Sequence, residues 1–215
     1  MNEKDFLLEK FYKKIFRNYY FNNLKKWLLD CDSVLDLGCG WDSPVQLVRK
    51  KMFKVGVDGF EPYIEKSREK AIHDKYIKED VTKVEFQPES FDAVLALDVI
   101  EHLPKDKSIE MLGKIEKWAK KKIILSVPNG FMPQEAIDSN QMQAHRCAWS
   151  VKELRDLGFK VYGFNCLKGL RKKVLEAGKF KFFWMVLSDI TQIYIYFFNK
   201  PEWAFNLCAV KELDK

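Results

Sequence analysis

The chain has 215 residues, 47% of them hydrophobic and 32% charged, with a formal net charge of +6. That length supports one sizeable domain with its own core, in a composition ordinary for a soluble globular protein. The mild basicity permits an anionic partner such as nucleic acid or a membrane surface without requiring one.

Five cysteines, Cys31, Cys39, Cys147, Cys166 and Cys208, form no Cys-x-x-Cys pair. An odd, scattered set argues against a disulfide framework or a zinc knuckle and fits a reducing, cytoplasmic setting. The first residues, MNEKDFLLEKFYKK, mix acids and lysines and lack the apolar run of a signal peptide. The most hydrophobic stretch, Phe180 to Phe198, is broken by Lys181, Ser188, Asp189, Thr191 and Gln192. A spanning helix needs about 20 predominantly apolar residues, so this stretch is read as not transmembrane.

Residues 1–30 read as helix, with Leu8, Phe11, Tyr12, Ile15, Phe16 and Tyr19 at helical spacing. Lys10, Lys13, Lys14 and Arg17 make a basic stripe beside them. From Ser33 onward, short apolar runs alternate with helical patterns. SVLDL is a strand, and Pro44 to Lys51 is expected to be a helix. KVGVD is the second strand, followed by a helix from Pro62 to Ile72 with proline suited to its first turn. KYIKED is a weaker third strand and FDAVLAL a strongly apolar fourth. Lys105 to Lys120 is helical, and KIILSVP is the fifth strand. Ser150 to Leu157 is a helix whose Ser150 and Glu153 match a capping box, ended by Gly158. FKVYGFN is the sixth strand. A basic-then-aromatic segment, 168–200, interrupts the rhythm before the last strand, AFNLCAVKE.

Such alternation implies an α/β fold with helices on both faces of a mostly parallel sheet. The simplest organisation is a single domain over 1–215. It has an N-terminal helical extension (1–32), a core (33–166), an insertion or lid (167–200) and a closing strand (201–215).

The stretch VLDLGCGWDS, residues 34–43, joins a strand to a turn with two glycines. Gly38 and Gly40 let the backbone approach a ligand closely. Asp58, at the end of KVGVD, stands 20 residues after Gly38, a separation suited to binding a ribose diol. A dinucleotide fits poorly. The third glycine of Gly-x-Gly-x-x-Gly is replaced by Ser43. Asp36, two residues before Gly38, would repel a pyrophosphate and suit a cationic ligand. Asp80, after the third strand, can accept from an adenine amino group.

These residues carry a resemblance. LDLGCGWDS, GVD, KEDV and FDAVLALDVIEHL, followed by IILSVPNG, occur in this order over residues 33–165. The set resembles a class I S-adenosylmethionine-dependent methyltransferase of the small-molecule, type 11-like branch. The resemblance implies a Rossmann-like doubly wound sheet of seven strands with an antiparallel last strand. It implies S-adenosyl-L-methionine as cofactor and S-adenosyl-L-homocysteine as product. Gly38, Cys39 and Gly40 would lie against the methionine part, with Asp36 helping to hold its amino group. Asp58 would take the ribose hydroxyls, Phe60 would flank the adenine, and Asp80 with Val81 would meet its edge. Leu97 and Asp98 would face the methionyl amine or the sulfonium, and His102 would touch cofactor or substrate. The departure is Asp42, where the family often has a third glycine.

The acceptor is read by elimination and by one loop. The resemblance to amino-directed nucleic-acid enzymes stops at LDVI, which stands where they carry Asn/Asp-Pro-Pro-Tyr, and no Pro-Cys nucleophile is suitably placed. Nucleic acid is therefore disfavoured. PNGFMPQEAIDSNQMQAHRCAWS, after the fifth strand, offers Asn129, Gln134, Asn140, Gln141, Gln143 and His145 to a hydroxylated molecule such as a sugar. His145 could act as base, since an unperturbed histidine titrates near about 6.5. The three histidines are too dispersed in the sequence to argue for a metal site. The basic and aromatic residues of 168–198 suggest a lipid-linked glycan or amphipathic acceptor, or peripheral contact with a membrane. The expected activity is methyl transfer to a small-molecule or glycan/lipid-linked acceptor at oxygen. The competing readings are a nicotinamide-dependent oxidoreductase, for which no hydride-transfer constellation is found, and a non-catalytic cofactor-binding protein.

Overall fold

A computed structural model of the chain describes residues 22–170 and 200–214, together with Leu187, Ile190, Thr191, Tyr194, Ile195 and Phe198. The expected helix over 1–30 is present over 22–27 (α1). Its earlier part and the basic stripe from Lys10 to Arg17 lie outside the described residues.

Seven strands form one sheet: β1 (Ser33–Leu37), β2 (Phe53–Asp58), β3 (Lys75–Lys78), β4 (Phe91–Leu97), β5 (Ala119–Pro128), β6 (Lys160–Leu167) and β7 (Ala204–Glu212). Their order is β3-β2-β1-β4-β5-β7-β6. β1 to β5 are parallel, and β7 runs antiparallel to both β5 and β6. The Rossmann-like sheet of seven strands with an antiparallel last strand is thus present.

The central strands are mostly apolar because both their faces are covered. On β4, Val94 and Ala96 point to one side, where they join Leu35, Leu37, Ile123 and Leu125. Ala93 and Leu95 point to the other and join Val34, Ile124, Leu24 and Leu28. Helix α3 (Lys105–Trp118) covers the first face with Met111, Leu112, Ile115 and Trp118, and α4 (Val151–Asp156) adds Val151 and Leu154. Helix α2 (Glu61–Glu69) follows β2, with Pro62 in its first turn.

One expected element differs. The helix from Pro44 to Lys51 is only a single 3-10 turn, Pro44–Leu47, capped by Ser43 Oγ, which accepts from Val45 N–H at 3.3 Å. Val45 and Val48 are both buried. Residues three apart eclipse in a 3-10 turn, so a single turn buries both, and the chain must then extend to reach β2 at Phe53. Helix α3 also stops at Trp118 rather than Lys120, because Ala119 already pairs with Phe91 in the sheet.

Cys31, Cys39, Cys147 and Cys208 are free and buried. Among the described residues, no helix is long and apolar enough to cross a membrane.

The capping box is built as the sequence implies. Ser150 Oγ accepts from Glu153 N–H at 3.2 Å, and Glu153 Oε2 accepts from Ser150 N–H at 2.8 Å. Ser150→Ala should lower stability by about 1 kcal/mol, read as a shift of the urea midpoint at unchanged slope.

Candidate functional site

The strand order sets the site. From β1 the chain steps outward through β2 to β3, then returns to the other side of β1 as β4. Ligands of such sheets bind beyond the carboxyl ends of the strands at this reversal. Gly38, Asp58, Asp80 and Asp98 follow the ends of β1, β2, β3 and β4, and all four line one cavity there. Gly59, Val81, Val99, His102 and Leu103 complete its floor, and Asn140, Met142, Gln143 and Arg146 come over it from the loop after β5.

The turn after β1 is held by Asp58. Its Oδ2 accepts from Gly40 N–H at 2.9 Å and its Oδ1 from Phe60 N–H at 2.8 Å. Burial raises the Asp58 carboxyl above its usual range, against the pull of these two backbone bonds. Gly38 has φ 62°, and a Cβ built on it would lie 2.5 Å from Val99 Cγ2. Gly40 has φ 53° but faces open space. Asp80 Oδ1 accepts from Thr82 N–H at 2.9 Å and Thr82 Oγ1 at 2.8 Å. Asp98 holds φ 56°, a left-handed conformation costly for a non-glycine residue. Its Oδ1 accepts from Ser126 Oγ at 2.9 Å. Enclosure by protein raises the Asp98 carboxyl, although it keeps an open side on the cavity.

Five of the expected cofactor contacts are not part of this lining. Asp36 is buried behind it, where its Oδ2 accepts from Ser43 Oγ at 2.5 Å and His73 Nε2 at 2.9 Å. Ser43, in the place of a third glycine, thus closes a buried polar cluster. Cys39 packs towards β2, with its Sγ 2.9 Å from where a Gly56 Cβ would stand. Gly40 contributes its amide to Asp58. Phe60 turns its ring edge-on to Tyr63 at 4.9 Å. Leu97 packs into the apolar cluster on the opposite face of the sheet.

The loop after β5 is closed at its base. Asn129 bridges to Trp149, and Gly130 N–H donates to Trp149 O at 2.8 Å. Asn129, expected to meet an acceptor, is structural: its Nδ2 donates to the carbonyls of Pro201, Glu202 and Ala204. Gln134 frames the loop, donating to Gln143 O at 2.8 Å and accepting His145 N–H at its carbonyl. Farther out, Tyr63 O–H donates to Asp138 Oδ2 at 2.9 Å, and Met142 packs onto Gly59. Gly59, Val99, Leu103, Met142 and Arg146 had no signal in the sequence as cavity residues.

The loop also corrects the view that the histidines are dispersed. Arg146 and Cys147 N–H both donate to Glu101 O, at 2.8 and 3.1 Å. That docking brings the rings of His145 and His102 to 4.8 Å. Burial pushes His102 below its ordinary value, and burial followed by the Asp98 charge pushes Glu101 well above its own.

Residues 35–124, a little under half of the chain, match the sequence model of the family described as methyltransferase domain. That stretch is similar to a methyltransferase domain, and the fold is one that solved methyltransferases share. No curated protein shows a significant match. Among solved structures, the chain is similar over 99% of its length to all of a SAM-dependent methyltransferase from Archaeoglobus fulgidus, at 18% identity and TM-score 0.59. It is similar over 91% of its length to 79% of magnesium protoporphyrin IX methyltransferase from Synechocystis PCC 6803, solved with bound SAM, at 17% identity and TM-score 0.50. A protein from Pyrococcus horikoshii OT3 is 28% identical over 50% of this chain, with TM-score 0.46. The chain spans about half, 54%, of that protein.

Gly38→Ala and Gly40→Ala share the penalty of a left-handed alanine, about 1–2 kcal/mol, but only the first also strikes Val99. Thermal unfolding should therefore show the larger loss for Gly38→Ala. Equal losses would mean that Val99 moves aside freely.

Proposed function

We propose that the protein is a methyltransferase that moves the methyl group of S-adenosylmethionine to a hydroxyl oxygen of a small-molecule or glycan/lipid-linked acceptor, in the cytoplasm. The observation that carries the cofactor half is the convergence of Asp58, Asp80 and Asp98 on one cavity, with Arg146 the sole lysine or arginine among its described lining residues. Three carboxylates suit a ribose diol, an amino group and a cationic sulfonium. They would repel the pyrophosphate of a nicotinamide cofactor. The open space at Gly40 and the tight approach at Gly38 fit a ligand laid along the turn.

In this reading Asp58 accepts from the ribose hydroxyls with lone pairs left over from its two backbone bonds. Asp80 and Val81 meet the adenine edge. Asp98 and His102 face the methionyl end, and the backbone of Gly38, Cys39 and Gly40 runs beside it. Asp36 acts from behind the wall, fixing the turn through Ser43 rather than touching the ligand. When bound, the cofactor supplies a methyl group activated by positive sulfur. The protein's task is to align the acceptor with it and exclude water. The acceptor oxygen forms the new bond to carbon while the carbon–sulfur bond breaks with its electron pair going to sulfur. The hydroxyl proton leaves to a base or to water.

In this reading Asn140, Gln143 and Arg146, which line the cavity from the overlying loop, together with His145, meet the hydroxylated acceptor. His145 Nδ1 is engaged with Met132 O at 2.7 Å, so the ring can reach an acceptor only through Nε2. The lipid-linked reading, with peripheral membrane contact through 168–198, draws support from the described part of that segment. Ile190, Tyr194 and Phe198 are exposed beside exposed Trp203, with Tyr194 stacked on Trp203 at 5.9 Å. Residues 171–186 lie outside the described residues.

Calorimetric titration with S-adenosylhomocysteine should show binding, and NADH should show none. Asp58→Ala should weaken the first at least about tenfold, the value of a hydrogen bond to a charged group. Unchanged affinity in that variant would remove Asp58 from the ribose site.

A further inference from the structure

Glu101 is 2% exposed, and neither carboxylate oxygen has a hydrogen-bond partner. An unpartnered buried carboxylate is costly, and native structures rarely keep one without a function. Asp98, another acid, adds repulsion rather than relief.

What faces it is a pair of imidazoles. One ligating atom from each of Glu101, His102 and His145 lies within 4.8 Å of the others. Both rings are oriented by the protein through Nδ1: His102 against Ala144 O at 3.3 Å and His145 against Met132 O at 2.7 Å. A ring that donates from Nδ1 to a carbonyl presents a lone pair at Nε2, the arrangement found around metal-bound histidines. The loop that carries His145 is pinned to the main chain of Glu101 itself through Arg146 and Cys147.

We propose that Glu101, His102 and His145 bind a divalent transition-metal ion at the rim of the cofactor cavity. Two imidazoles and one carboxylate select an ion of the manganese, iron, cobalt or zinc class over magnesium or calcium, which prefer oxygen-only sites. Ligands around such an ion stand roughly 3.4 Å apart at bond lengths near 2.1 Å, so side-chain adjustments on the order of 1 Å close the site. Three protein ligands leave coordination positions open, and His102 lines the cavity, so the open side faces the acceptor.

The inference rests on the reading of an oxygen acceptor for its purpose, though not for its test. A hydroxyl bound to the ion gives up its proton more readily, and that proton goes to water. His145 then holds the ion rather than taking the proton itself. The ion also supplies the positive charge that the two neighbouring acids, Asp98 and Glu101, lack.

The test is direct metal binding by the full chain after chelator treatment. Titration with Co2+, followed by visible absorption, and with Mn2+ and Zn2+, followed by calorimetry, should show one saturable site per chain. Glu101→Gln and His145→Ala should each weaken it at least about tenfold, since even residues behind a ligand are worth that much. Both variants should still bind S-adenosylhomocysteine as the parent does, which shows that they are folded. Absence of saturable binding by the parent, or equal affinity in both variants, overturns the proposal. Failure of the parent to bind S-adenosylhomocysteine would instead strike the cofactor reading and leave the metal titration to stand by itself.

Discussion

The Asp58 carboxylate ties the site together. One oxygen takes the amide of Gly40 and the other takes the amide of Phe60. The turn after β1 and the start of α2 are thereby fixed to the same buried group. Without it, two loops at the reversal of strand order would move independently, and the wall of the cavity would have no defined shape. The residue that builds the turn also lines the cavity.

A second constraint lies behind the first. Asp36, Ser43 and His73 form a buried polar cluster beneath the Gly-x-Gly turn. A buried carboxylate must be satisfied or it destabilises the fold. Here it is satisfied by a hydroxyl from the next turn and an imidazole from the approach to β3. Strand β1 and the two connections that carry Ser43 and His73 are cross-linked in this way, behind the cavity lining. The short 3-10 turn at Pro44–Leu47 serves the same end, since Ser43 caps that turn and bonds Asp36 with the same side chain.

The loop after β5 is the third part of the design. Asn129 and Trp149 close its base, and Tyr63, Gly59 and the Glu101 carbonyl receive its outer parts. It is thus anchored on the β2 side and on the β4 side of the cavity at once. Side chains on such a loop can vary without disturbing the sheet. Glu101 stands at the junction of sheet and loop, with its main chain used by the fold and its side chain unpartnered.

The strands and the acids at their ends were legible from the sequence by itself. A strand covered on both faces is mostly apolar, and FDAVLAL and SVLDL say so locally. Asp58, Asp80 and Asp98 interrupt or end such runs, and a strand end is a local property. The capping box at Ser150 was legible for the same reason, since its two partners are three residues apart. The direction of each side chain was decided only by tertiary structure. Asp36 and Leu97 stand beside cavity residues in sequence yet turn away from it, because His73, Ser43 and the opposite apolar cluster claim them. The helix expected after Pro44 depended on whether Val45 and Val48 could be buried in one turn, which the sheet beneath them settles. His102 and His145 looked unrelated because their meeting depends on two hydrogen bonds to one carbonyl far away in the chain. Local pattern determines what a residue can do, and long-range packing determines which neighbours it does it with.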